Sequence, residues 1–114
     1  ISNCTFNNCG KNTRLMFDFG DTDTGNVLFE RNMFGAVMDP ASHKGYRGKT
    51  VVAEVVDCYA TEDFVFASSL GVLENATPLG APAADVFVDA ANGNFGLTGV
   101  AAPLSGSIGD PRWW

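Results

Sequence analysis

The sequence predicts an all-β solenoid of about three rungs, closed by a C-terminal hairpin and a capping tail. Three observations predict it. The phrase Ile1-Ser-Asn-Cys-Thr-Phe6 returns as Phe29-Glu-Arg-Asn-Met-Phe34 and as Val55-Val-Asp-Cys-Tyr-Ala60, with Cys4, Asn32 and Cys58 in the same place at spacings of 28 and 26 residues. A period in the twenties made of short extended pieces is that of stacked rungs. The apolar runs are too short and too β-branched for helices. Asp85-Val-Phe-Val-Asp89 and Asn94-Phe-Gly-Leu97 flank an Asn92-Gly93 step, the turn chemistry of a hairpin.

Each element follows from its local pattern. The first rung spans residues 1–25. Ile1 and Phe6 are five apart, and a flat strand alternates faces with period two, so both face inward only if a corner lies between them. Asn3 suits that corner because Asn tolerates the left-handed conformation. Thr13-Arg-Leu-Met-Phe-Asp-Phe19 alternates as a half-buried strand, and Gly20-Asp-Thr-Asp-Thr-Gly25 reads as a polar turn. The second rung spans residues 26–50. Val27 and Phe29 face one way, Phe34 to Met38 continue as a short strand, and residues 39–48 read as an exposed loop. The third rung spans residues 51–84. Val51 to Val56 and Asp63 to Ala67 read as strands, and residues 81–84 as a linker. Residues 85–114 form the hairpin and cap of the same single domain.

Composition narrows the function classes. The chain has 114 residues, 46% of them apolar and nine of them Phe, which suffices for one modest core. The formal charge of −6 disfavours nucleic acid. No apolar run reaches the roughly 18–20 residues of a membrane span. An acidic polysaccharide would need a local basic patch. The nearest thing to one is the stretch holding His43, Lys44, Arg47 and Lys49, half of the chain's Lys, Arg and His side chains. The chain starts in mid-rung without Met, which reads as a processed chain or a piece of a longer one.

Several residues bear on chemistry. Cys4 and Cys9 can bridge, leaving Cys58, or all three can fill small inward positions as thiols. Cys-x4-Cys without a second pair or a nearby His is not a zinc site. Asp18, Asp21 and Asp23, with Asp39, offer hard oxygen ligands for Ca2+, but the EF-hand Gly and Glu are missing, and a polar turn, where Asp serves backbone hydrogen bonds, is the favoured reading. His43, the one histidine, has no paired base partner and reads as solvated. Tyr46 and Tyr59, with Arg47, are candidates to contact a sugar. Trp113 and Trp114 read as cover for the open end of the solenoid. Asn3-Cys-Thr5 and Asn75-Ala-Thr77 match the glycosylation acceptor pattern.

The tail carries a resemblance. Val86-Phe-Val-Asp-Ala-Ala-Asn-Gly-Asn-Phe-Gly-Leu97, then Ala102-Pro-Leu104, then Ile108-Gly-Asp-Pro-Arg-Trp113, resembles the closing segment of right-handed parallel β-helix proteins. That group is pectate-lyase-like, of the Bacteroidetes type, and includes many surface proteins. The likeness covers residues 1–34 and 85–114 well and residues 51–80 loosely. Asn94 stands where the group has Asp, Ala102-Pro103 where it has Ser-Pro, and a second Trp ends the chain. Val51 to Cys58 also resembles part of a double-psi barrel, in that stretch alone.

The resemblance implies a right-handed parallel β-helix at the cell surface or outside the cell, acting on or binding polysaccharide. Lyases of this fold take a proton with a basic side chain. Arg31, Arg14 and Lys49 are the candidates, with Lys11, Lys44 and Arg47 behind them. Arg112 belongs to the closing phrase and reads as structural. The leading expectation is the C-terminal capping portion of such a protein, not itself catalytic and without a required cofactor. The alternative is a structural subunit that stacks end to end through an uncapped first rung.

Overall fold

Cys4, Asn32 and Cys58 stand one over another, and they set the frame for the rest. The computed structural model describes residues 1–10, 14–23, 25–49 and 52–114. Asn32 is fully buried. Its Oδ1 accepts the Cys4 N–H (3.0 Å), its Nδ2 donates to the Ile1 carbonyl (3.0 Å), and its own N–H donates to Cys58 Sγ (3.4 Å). One side chain thus joins three successive passes of the chain.

The strands follow the same register. Strands β1 (Thr5–Phe6), β4 (Met33–Phe34), β7 (Tyr59–Ala60) and β8 (Thr77–Pro78) form a four-stranded parallel sheet in the order β1-β4-β7-β8. Strand β2 (Leu15–Asp23) pairs in parallel with β5 (Lys44–Lys49), and β3 (Asn26–Glu30) with β6 (Val52–Val56). Partners lie 28 residues apart at Thr5–Met33, 29 at Leu15–Lys44, 26 at Asn26–Val52 and 18 at Tyr59–Thr77. Parallel neighbours need a long return path between them, which the two-stranded sheets supply. Phe29 pairs with Val55, and the Glu30 N–H donates to the Ile1 carbonyl (2.9 Å), so Ile1, Phe29 and Val55 follow one another across the passes. Ile1 stays 46% exposed whereas Phe29 is fully buried.

Corners recur with the strands. Asn3, Arg31 and Asp57 occupy equivalent places and share left-handed φ values of 51°, 52° and 50°. Each carbonyl-rich corner turns the chain so that the next residues re-enter the sheet.

Among the described residues two apolar clusters form, because Met33 and Phe34 are adjacent in β4 and face opposite sides of the sheet. On the inner side Phe6 stacks on Phe34 (centroids 5.5 Å apart, planes 18°) and Phe34 on Phe64 (4.9 Å, 16°). Phe17 meets Phe6 and Phe29 edge-on. The nine phenylalanines are therefore mostly a ring-on-ring core, geometry that adds to area burial. On the outer side Met33 packs with Ala83, Val86, Phe87, Ala101 and Ile108.

The C-terminal segment is what covers that outer side. A single helical turn α1 (Ala83–Val86) leads into the antiparallel hairpin of β9 (Phe87–Asp89) and β10 (Asn94–Leu97). The chain then returns across the passes. The Gly109 N–H donates to the Arg31 carbonyl (2.9 Å), and the Asp110 N–H to Thr5 Oγ1 (3.0 Å), 105 residues away. A Cβ at Gly109 would come within 2.7 Å of that hydroxyl, and its φ of +80° suits glycine.

Several local expectations need correction. Residues 44–49 are a strand, not a loop. Gly45 runs so close to the 68–70 crossing that a Cβ there would lie 2.8 Å from the Ser69 carbonyl, so glycine serves packing at this point and not a turn. Strand β2 continues through Asp23, where a turn was expected from Gly20. Residues 63–67 form no strand. The Phe64 N–H closes a turn onto the Thr61 carbonyl, and pairing resumes only at Ser68, opposite Lys44. Residues 81–84 are not a linker, since Ala83 is buried and its N–H donates to Asp63 Oδ1 (2.9 Å). Trp113 and Trp114 lie on the side of the stack, not over its end. Trp113 packs on Phe95 (5.7 Å) and Trp114 Nε1 donates to the Ile108 carbonyl (3.1 Å). The expected strand starts at Thr13 and Val51 lie outside the described residues.

Replacing Asn32 by Ala leaves the part-buried Cys4 N–H and Ile1 carbonyl without that partner. Each such loss costs about 1–3 kcal/mol. Denaturant unfolding of Asn32→Ala is expected to show a loss of at least about 2 kcal/mol with an unchanged m-value, whereas Asn92→Ala in the exposed hairpin turn should change stability little.

Candidate functional site

Two features of β2 and β5 stand out, a charged surface and an open pocket. The surface feature is charge. The Arg14 carbonyl accepts the Lys44 N–H (3.3 Å), which sets Arg14 beside Lys44. Asp18 pairs in register with Arg47, and Lys49 ends β5 opposite Asp23. Arg14, Lys44, Arg47 and Lys49 are all exposed. Three of the seven Lys and Arg residues of a net-acidic chain therefore lie on β5, and a fourth, Arg14, immediately precedes its partner strand β2. At a strand rise of about 3.3 Å per residue, Lys44 and Lys49 are roughly 17 Å apart.

Arg47 is held by Asp18. Its Nε donates to Asp18 Oδ1 and its Nη2 to Oδ2, both at 2.8 Å, a bidentate pair. These bonds, and then the Gly20 N–H, hold the Asp18 carboxyl below the usual carboxylate range. Asp110 is lowered in the same way by Arg112, its salt-bridge partner, and Asp110 also accepts the Arg112 N–H as cap of the final helical turn.

The second feature is an open pocket of about 410 Å³, walled by Phe6, Leu15, Met16, Phe17, Cys9, Gly10, Arg14 and His43. His43 is 1% exposed, contrary to the solvated side chain expected of a Gly-rich basic stretch. The turn Asp39–His43 delivers it, because the His43 N–H donates to the Asp39 carbonyl (2.9 Å) and the Ser42 hydroxyl to Asp39 Oδ2. The imidazole packs against Phe66 (5.4 Å). Gly10, at φ +90°, lies flat on the ring, and any Cβ there would overlap it. Neither ring nitrogen has a hydrogen-bond partner among the described residues. Burial raises the Cys9 thiol pKa above its usual value, against a smaller opposing effect of the hydrogen bond to the Asn7 backbone, so the thiol stays neutral. Nothing in the local sequence pointed this ring inward, since its burial rests on the distant Gly10.

The remaining candidates are dispersed. Arg31 sits at the left-handed corner, exposed, with Glu30 3.5 Å away, and its backbone holds the tail. Of Arg14, Arg31 and Lys49, only Arg14 lines the pocket. Tyr46 packs inward against Phe19 (5.8 Å) and Phe29 (6.3 Å). Tyr59 is half-buried beneath the C-terminal segment. Neither offers an open ring face of the kind sugar stacking uses. Asp18 is committed to Arg47, while Lys11 and the side chains of Asp21 and Asp23 lie outside the described residues. Among the described residues no three His, Cys, Asp or Glu side chains are placed to hold a metal ion. Cys4, Cys9 and Cys58 are free thiols, and each donates to the carbonyl two residues before it.

A family model described as "Domain of unknown function (DUF5123)" matches residues 1–113. The chain belongs to this family. The match takes in the parallel strands and the returning tail alike, so the DUF5123 unit includes both. Neither a curated protein nor a solved structure matches the chain. Among the described residues of this DUF5123 domain no helix is long and apolar enough to cross a membrane.

The Asp18–Arg47 pair has a pH signature. A carboxyl lowered in the folded state contributes stability above its unfolded value of about 3.9, and that contribution is lost as pH falls through the lower folded value. Carboxyl-carbon NMR of Arg47→Gln is expected to show the Asp18 midpoint rising towards the usual range, with the Gly20 N–H still holding it somewhat low, while that of Asp110 is unchanged. A second expectation concerns Arg31. Left-handed backbone costs an ordinary L-residue about 1–2 kcal/mol, and Asn less, so Arg31→Asn should hold or raise the denaturation midpoint.

Proposed function

We propose that this domain is the C-terminal, non-catalytic portion of an extracellular right-handed parallel β-helix protein, and that it holds an acidic polysaccharide along β2 and β5. The observation that carries the reading is the placement of Lys44, Arg47 and Lys49 on β5, with Arg14 just ahead of β2, in a chain with net charge −6. A neutral glycan would have no use for such a strip, and a polyuronate presents carboxylates along its length. Arg47, pre-ordered by Asp18, supplies a fixed anchor, and the lysines supply adaptable charges. The parallel ladders support the β-helix architecture, as does the likeness of the tail to closing segments of such proteins.

A second reading, end-to-end self-association, draws on a different observation. Strands β1, β2 and β3 each lie at a sheet edge, and such edges accept a further parallel strand. Light scattering separates the two: a monodisperse monomer at high concentration excludes stacking and leaves glycan binding intact.

Titration with polygalacturonate, against dextran as the neutral control, tests the leading reading. Binding confined to polygalacturonate is expected, weakened by salt. The pair Lys44→Glu and Lys49→Glu should abolish it without lowering the melting temperature. Equal binding to dextran, or indifference to charge reversal, would contradict the assignment.

A further inference from the structure

The two edges of the β1-β4-β7-β8 sheet are built differently, and the glycan reading makes no use of the difference. Phe6, Phe34, Ala60 and Pro78 follow one another across the four strands. Along a parallel strand, one residue turns its backbone N–H and C=O to one neighbour and the next residue turns them to the other. The Thr77 N–H donates to the Cys58 carbonyl (2.8 Å) and the Leu79 N–H to the Ala60 carbonyl (2.9 Å). Both point back into the sheet. The backbone nitrogen of Pro78, between them, therefore faces the free edge of β8, and proline carries no hydrogen to donate there. At the other edge the Cys4 and Phe6 carbonyls accept the Met33 and Gly35 N–H groups. Thr5, between them, turns an ordinary N–H outward from β1.

Further features close the β8 end. Strand β8 has two residues, both exposed. It follows β7 by 18 residues, where β4 follows β1 by 28 and β7 follows β4 by 26, so the last pass is cut short. The short helical turn Gly71–Asn75 lies against β5 and β6. It sets Leu73, 1% exposed, into the cluster of Phe29 and Phe34, and Ala76 just after it is buried there too. A very short edge strand and an edge proline are means by which a sheet refuses another strand.

We infer that the β8 end is a terminator that refuses a further parallel strand, whether from a second copy of the domain or from another chain. Stacking of β1 onto β8 is the head-to-tail contact from which open fibres grow, and Pro78 withholds the donor that this contact needs. Copies that associate do so β1 end to β1 end and stop at a pair. The self-association reading is thereby limited to a closed dimer. Pro78 is the residue whose replacement reopens the end, because Thr77 and Leu79 hold β8 to β7 without it.

Sedimentation velocity over rising concentration tests this on the wild-type chain, Pro78→Thr and Pro40→Ala. Pro40 is exposed in the Asp39–His43 turn, so its replacement controls for the loss of a proline. Wild type and Pro40→Ala are expected to go no further than a pair. Pro78→Thr should grow past a pair with an unchanged melting temperature. Wild type added to Pro78→Thr should shorten the assemblies, because a wild-type copy joins through its β1 edge and presents Pro78 to the next arrival. Wild-type assemblies larger than a pair would overturn the inference. So would Pro78→Thr that keeps the wild-type mass, or that grows indifferently to added wild type. Should Pro78→Thr melt lower, Pro78→Val, a stronger strand former, is judged by the same outcomes. No glycan enters the experiment, so this inference and the polygalacturonate assignment fail separately.

Discussion

The Asn32 carboxamide is the point at which three passes of the chain meet. A buried amide has two donors and two acceptor positions to satisfy. Here the donors and acceptor are met by groups that lie about one period before Asn32 and one period after it in sequence. No local rearrangement can supply those partners, so the amide is satisfied only when the passes are in register. That ties the placement of β1, β4 and β7 to one side chain. The ring column of Phe6, Phe34 and Phe64 follows from the same register, because shifting one strand by a residue would send Phe34 outward and Met33 inward.

The C-terminal segment depends on this register in turn. Its hydrogen bonds fall on the Arg31 carbonyl and the Thr5 hydroxyl, which belong to two different passes. It can bridge them only while they are held side by side. The closing phrase Ile108-Gly-Asp-Pro-Arg-Trp113 has a physical meaning at each step. Ile108 is buried under the sheet, Gly109 passes close to Thr5, Asp110 caps the final turn, and Pro111 starts it. Arg112 is paired with Asp110, and Trp113 covers Phe95. The outer face of the four-stranded sheet, left bare, would be an apolar surface centred on Met33. The tail turns it into a second core.

What the sequence made legible, and what it hid, divides along the same line. The equivalence of Cys4, Asn32 and Cys58 could be read because small polar residues recurred at a steady spacing amid apolar ones. The left-handed corner at Asn3 could be read from a parity conflict between Ile1 and Phe6, and the hairpin from Asn92-Gly93. Strand β5 could not, because its glycines resemble a loop until the crossing at residues 68–70 is known to press on them. His43 was hidden for a related reason. Its burial depends on Gly10, 33 positions away, and no local pattern reports such an approach. The seat of the tail was hidden because both ends of its span, Thr5 and Asp110, are ordinary polar residues when seen alone.

The basic strip was half visible. Lys44, Arg47 and Lys49 cluster in sequence, but the addition of Arg14 and the pre-ordering of Arg47 by Asp18 come only from the β2–β5 pairing.

The central claim is that the passes form one cooperative stack through Asn32. Native-state hydrogen exchange tests it most directly. The amides of Cys4, Met33, Tyr59 and Thr77 each donate to the adjacent pass. The account predicts that all four exchange only by global unfolding, with a single common free energy. Exchange of the Cys4 amide at the rate of a frayed terminus, with Met33 and Tyr59 still protected, would contradict it.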